Sequence, residues 1–280
     1  MVIISDAVHV RGVTFDLDDT LWCGEAVIRK ASAAFHAFLA QQTPQLAAQF
    51  PPAAFDALLV AFQRALPAHA HDYTFLRKHT LRHCVRECGE QNLQLQDQEA
   101  FVDAAFRAFL VPRSQPELFA GVEGLLRGLE RELRRAGAAP VLGVITNGNC
   151  ELRSLPQFVQ EHMAFLVSAE LVGSAKPGAA IFDAAVAQFP ASCSRRHLVH
   201  VGDHYACDVE GAKRAGLRTI WVNARWTKPD ALTRADLSDE DAERYAAADA
   251  IVKEVTAVLL VVERWNALAD GDEKVTLSTH

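Results

Sequence analysis

The chain reads as an α/β protein, a doubly wound parallel sheet into which a long helical segment is inserted after the first strand. Three observations carry this reading. A short apolar strand near the start ends in a cluster of carboxylates, the next stretch turns wholly to helical periodicity, and beyond about residue 120 strands and helices alternate almost to the end.

The first strand is Val10 to Phe15, β-branched and apolar, and "DLDDT" follows it at the edge where open α/β sheets keep their ligands. From about Ile28 to Leu110 the apolar residues recur at helical spacing. Phe35, Phe38 and Leu39 share one face, Phe55, Leu58, Leu59, Phe62 and Leu66 another, and Phe101, Phe106, Phe109 and Leu110 a third, with a further helix near Tyr73 to Cys88. "VPRSQPELFAGVEG", with its prolines and glycines, reads as the return to the sheet. Val122, Leu125, Leu126, Leu129 and Leu133 then mark a helix, "PVLGVIT" a strand, "AAIFDAAVAQF" a helix, "HLVHVGD" a strand, "DVEGAKRAG" a helix and "RTIWVN" a strand. "ADAIVKEV" and "VTAVLLVVERW" add a last strand and helix. The expected division is 1–24 and 112–270 for the sheet unit, 25–111 for the helical insertion and 271–280 for a flexible tail.

Half of the 280 residues are hydrophobic, enough for a substantial core, and the net charge of −7 argues against a nucleic-acid backbone binder. The N-terminus lacks a basic leader and no apolar run approaches a membrane span, so a soluble, cytoplasmic protein without membrane partners is expected. The six cysteines have no disulfide-framework spacing, and free thiols are expected. His79 and His83 lie four apart, as do Cys84 and Cys88, but all four fall on one helix, which argues against zinc. The same helix carries Arg77, Lys78, Arg82 and Arg86, cations of a polar surface or contacts for a substrate.

In an extended segment residues two apart point the same way, so Asp16 and Asp18 face one site while Asp19 faces elsewhere. Two carboxylates that close need a cation or a proton between them, and a hard divalent ion such as Mg²⁺ is the natural neutraliser. Later strand ends contribute Thr146, Lys176 just before Pro177 and a helix, Asp203, and Asp208. Carboxylates for a cation and a nucleophile, with a threonine and a lysine for an anion, suit phosphoryl transfer.

With these residues in this order, the chain resembles the haloacid dehalogenase-like hydrolases. Asp16-Leu17-Asp18-Asp19-Thr20 matches their DxDxT motif, Thr146 the second motif, Lys176 the third, and Gly202-Asp203 with Asp208 the fourth. The resemblance implies a Rossmann-like core with a helical cap domain, Asp16 as nucleophile, Asp18 as acid and base, and Mg²⁺ at Asp16, the Asp18 carbonyl and Asp203 with Asp208 close by. It also implies Thr146, Lys176 and the Asn147 N–H as phosphoryl ligands, and a small phosphorylated metabolite as substrate, a nucleoside monophosphate or a sugar phosphate. A monomer or a homodimer fits equally well. The rivals are a 2-haloacid dehalogenase, disfavoured by Asp18, and a binding protein that kept the fold without catalysis.

Overall fold

The computed structural model of the chain describes residues 9–89, 93, 95–137, 139 and 141–271. The expected tail therefore lies outside the described residues, except for residue 271. Six strands form one sheet in the order β3-β2-β1-β4-β5-β6, and every neighbouring pair is parallel. They are β1 (Gly12–Phe15), β2 (Leu142–Thr146), β3 (Phe165–Ser168), β4 (Leu198–Gly202), β5 (Arg218–Val222) and β6 (Ala250–Val252). The chain winds outward from β1 through β2 to β3, then returns to the other side of β1 and continues to β6. This Rossmann-like order puts the switch between the two halves at β1 and β4.

Alternation along buried strands separates two cores. Val13, Phe15, Val144, Val199 and Val201 face α6 (Val122–Arg135) and α12 (Val258–Ala269). Ile145, Val167 and Leu198 face the opposite way, against α9 (Ala179–Val186).

Between β1 and β2 come α1 (Gly24–Gln42), α2 (Pro44–Gln49), α3 (Pro52–Ala65), α4 (Tyr73–Cys88) and α5 (Gln98–Arg113). Their apolar faces build a separate core around Phe35, Leu39, Phe55, Leu81, Val102 and Phe109. Local chemistry sets their starts. The Asp72 carboxylate accepts from the Phe75 N–H at 2.7 Å, the Asp97 carboxylate accepts from the Ala100 N–H at 3.0 Å, and prolines open α2 and α3. Helix α5 runs through Pro112 to Arg113, two residues beyond the expected end of the insertion.

Three details differ from the sequence reading. Strand β3 and helices α7 (Gln157–His162) and α8 (Ala169–Val172) lie between residues 146 and 179, where no element was expected. The helix expected from Asp208 begins earlier as a π-helical turn, Tyr205–Glu210, before α10 (Gly211–Arg214). Short α11 (Asp239–Arg244) was also unforeseen. All six cysteines are free thiols, and no helix among the described residues is long and apolar enough to cross a membrane.

Gly143 in β2 is required by packing, because a Cβ there would overlap the Phe165 ring, itself wedged edge-on against Phe189 at 5.3 Å. Gly143→Ala is expected to destabilise the protein by about 1–3 kcal/mol, measured as a lower urea midpoint with an unchanged slope.

Candidate active site

The residues singled out in the sequence converge at the C-terminal edge of the sheet. Asp16 directly follows β1, and its amide donates to the Val201 carbonyl of β4 at 2.8 Å, which fixes the carboxylate at the switch point. The chain then turns sharply. Asp19 has φ of +60°, a left-handed conformation that aspartate tolerates better than most residues, and its carboxylate accepts from the Gly24 N–H at 2.9 Å. Asp19 thus anchors the start of α1 and lies outside the cavity lined by Asp16 and Asp18, though its charge is felt at Asp203. The Thr20 hydroxyl points to the Asp203 carboxylate at 3.4 Å.

Lys176 is the centre of the cluster. Its side chain is almost wholly buried, and Nζ lies 2.6 Å from both Asp16 Oδ1 and Asp208 Oδ1 while donating to the Ile145 carbonyl at 2.7 Å. Burial opposes its charge, but the two carboxylates outweigh that and hold the ammonium well above the usual lysine range. Asp208 is likewise held below the usual carboxylate range, because Lys176 and His200 overcome its burial. Asp208 also accepts from the His204 N–H at 2.9 Å and from His200 Nε2 at 3.3 Å. Gly202 permits this approach, since a Cβ there would collide with the Asp208 carboxylate.

Asp16 responds differently. Burial and the neighbouring Asp208 push its carboxyl up to about 7 despite Lys176, and burial with Asp208 and Asp19 raises Asp203 to about 6. Oxygens of Asp16, Asp203 and Asp208 lie within 4.8 Å of one another, so among the described residues these three form a group able to hold a metal ion. The raised values of Asp16 and Asp203 mark a place short of positive charge, which fits a hard cation with oxygen ligands. The histidine and cysteine pairs of α4 form no such group among the described residues: Cys84 and Cys88 join the helical core, while His79 and His83 stack edge-on against Phe62.

Asp18 sits beside this cluster with both oxygens engaged. Oδ1 accepts from Trp22 Nε1 at 2.8 Å, and Oδ2 accepts from Arg113 Nη2 at 2.5 Å. Trp22 is fully buried, so it packs at the crossing into the helices and does not line the pocket. Arg113 escaped the sequence reading, because an ion pair spanning 95 residues leaves no local pattern. Gly148 makes room for it, since a Cβ would come within 2.6 Å of Arg113 Nη2.

Thr146 ends β2 and its hydroxyl oxygen accepts from the Gly148 N–H at 2.9 Å. Asn147 was expected to offer its N–H, but its side chain has a further task. Oδ1 accepts from the Lys176 N–H at 2.8 Å, and Nδ2 donates to the Lys176 carbonyl at 3.1 Å. Lys176 is therefore placed by this clamp and by its ion pairs, and Pro177 precedes α9 without entering it. Asp16, Asp18, Thr146, Lys176, Arg77 and Arg113 all line one cavity of about 420 Å³. Asp203 faces a second cavity, with Asp19 and Thr20.

Residues 10–216 match the family model of the haloacid dehalogenase-like hydrolases. The 5-amino-6-(5-phospho-D-ribitylamino)uracil phosphatase YigB of Escherichia coli strain K12 is 26% identical over 216 residues, covering 76% of this chain and 84% of the relative. The pyrimidine 5'-nucleotidase YjjG of the same organism is 37% identical over 86 residues, 30% of this chain and 38% of that protein. Among solved structures, a 2-haloacid dehalogenase from Pseudomonas syringae pv. Tomato DC3000 superposes with a TM-score of 0.73 at 30% identity, covering 91% of this chain and 99% of the other.

Two outcomes follow from the geometry. Asn147→Ala leaves the backbone groups of Lys176 without partners and is expected to lower unfolding stability by about 1–3 kcal/mol in urea titrations. Asp16 carries a folded-state value above the ordinary 3.8, so the folded chain holds the extra proton and loses stability as pH rises from about 4 to about 7. In divalent-free buffer, Asp16→Asn is therefore expected to gain stability relative to the parent between pH 5 and pH 7.5 (about these values), read from paired urea midpoints.

Proposed function

The chain belongs to the haloacid dehalogenase-like hydrolases, and on that premise we propose that it is a Mg²⁺-dependent phosphomonoesterase acting on a small phosphorylated metabolite. The observation that carries this reading is Asp16 itself, a buried carboxylate that shares one cavity with Asp18, Thr146 and Lys176 and one acidic cluster with Asp203 and Asp208. The phosphatase and the nucleotidase among its relatives support the same reading.

Asp16 attacks phosphorus, and the bond to the leaving oxygen breaks as the aspartyl-phosphate forms. Asp18 supplies the proton that converts the departing alkoxide to an alcohol. It then takes a proton from water as that water displaces phosphate and restores the Asp16 carboxylate. Asp18 leaves at least one of its donors, Trp22 or Arg113, when it carries the proton at the oxygen each now contacts. The Thr146 hydroxyl donates to a phosphoryl oxygen and Lys176, held by the Asn147 clamp, supplies positive charge beside it, releasing one of its three present acceptors where it binds that oxygen directly. Mg²⁺ held by Asp16, Asp203 and Asp208 would supply positive charge beside the transferred group. Helices α1 to α5 form the cap, whose side chains face the leaving group across the cavity.

A second reading, 2-haloacid dehalogenase, is favoured by one observation, the 30% identical structural relative. Phosphate release from a panel of nucleotides and sugar phosphates, run beside chloride release from 2-chloropropionate, separates the two. The phosphatase reading expects phosphate release that EDTA abolishes and Mg²⁺ restores, and a loss of about a thousandfold or more in Asp16→Asn. It also expects Mg²⁺ to raise the melting temperature more at pH near 8 than near 5, because protons compete for Asp16 and Asp203. Chloride release without phosphate release would overturn it.

A further inference from the structure

Of the cations on α4, two are matched: Lys78 pairs with Asp103 at 2.8 Å and Arg82 with Glu99 at 2.7 Å. Arg77 differs. It is only 9% exposed, Nη1 has no hydrogen-bond partner, and among the described residues no carboxylate lies within ion-pair distance. Its guanidinium lies 3.7 Å from the centroid of the Phe109 ring, with Phe35 and Phe55 at 5.6 and 5.9 Å. Burial lowers it to about 10, so it stays charged at neutral pH.

Stacking on aromatic rings answers the flat face of a guanidinium and leaves its in-plane N–H groups unanswered. A purely structural arginine here would bury charge at a cost of several kcal/mol with no carboxylate in direct contact, since Asp56 offsets it only from beyond ion-pair distance. Arg77 does line the cavity that holds Asp16, Thr146 and Lys176, from the helical side, where a leaving group would extend from the phosphorus. The surrounding Leu59, Tyr73 and Phe109 supply apolar walls and leave Arg77 to set the charge preference on that side. Arg113, the other buried arginine of the cavity, already has its carboxylate in Asp18.

We propose that Arg77 is a specificity-determining residue that binds a second acidic group, a carboxylate or a further phosphate, on the leaving group of the substrate. The proposal rests on the phosphatase reading above for the direction in which the leaving group lies. Planar N–H pairs that match carboxylate or phosphate oxygens in a dry, apolar setting make such a contact selective against neutral analogues.

Equilibrium binding on the Asp16→Asn background tests it without turnover. Two matched pairs differ by the acidic group: O-phosphoserine against O-phosphoethanolamine for a carboxylate, and fructose 1,6-bisphosphate against fructose 6-phosphate for a phosphate. The expected result is a preference of about tenfold or more for the acidic member of one pair, and that pair names the group. Adding Arg77→Met, which keeps the apolar stem against the phenylalanines, should bring the ratio near one, whereas Arg77→Lys should keep part of it. Ratios within about twofold in both pairs with Arg77 intact, or a preference that survives Arg77→Met, would overturn the proposal. Failure of the wild-type protein to release phosphate with Mg²⁺ would instead remove the phosphatase reading, and the binding ratios would still decide the subsite.

Discussion

The site is organised by the Lys176 ammonium held between Asp16 and Asp208. A buried lysine without partners would shed its proton, and two buried carboxylates without a cation would take one up. Together Lys176 and Asp208 stay charged out of water, at the price of fixed positions for every group in contact, while burial leaves the Asp16 carboxyl raised to about 7. The strand order brings Asp16 beside β4, Gly202 admits the Asp208 carboxylate, and the Asn147 clamp sets the backbone from which Lys176 extends. Burial first, and then the neighbouring carboxylates that one cation does not balance, keep Asp16 and Asp203 raised.

Sheet and helices divide the work. The strand ends carry the charged groups, each anchored by backbone hydrogen bonds or ion pairs in a rigid layer. The helical side presents mostly aromatic and aliphatic walls, with arginine as the main charged intrusion. Chemistry and recognition can thus vary separately, the first tied to the sheet topology and the second to side chains on helices whose core, built on Phe35, Phe55 and Phe109, is their own.

What the amino-acid sequence disclosed and what it hid follow the range of the interactions. Buried strands such as β1, β2 and β4 are legible because continuous apolar runs end in polar residues, and the fold class follows from their alternation with helices. Strand β3 is four residues long with a half-buried first half, too short for a periodic signal. Asp16, Thr146 and Asp203 were legible because each ends or directly follows a strand, and Lys176 because it precedes a proline and a helix. The tie between Asp18 and Arg113, the side-chain clamp of Asn147 and the isolation of Arg77 were not, for each depends on which distant segment packs opposite.

The strand order also bears on how the molecule comes to be folded. Central β1 is the first of the described strands to be made, yet its neighbours are β2 and β4, and Thr14 finds its partner at Val199, 185 positions further along the chain. During synthesis this apolar segment has no sheet neighbour until β2 is made and no second one until β4, whereas the helices of residues 24–113 make local contacts at once. Asp16 thus stands at the end of a strand that waits for distant partners, and closure of the sheet around β1 also assembles the acidic cluster.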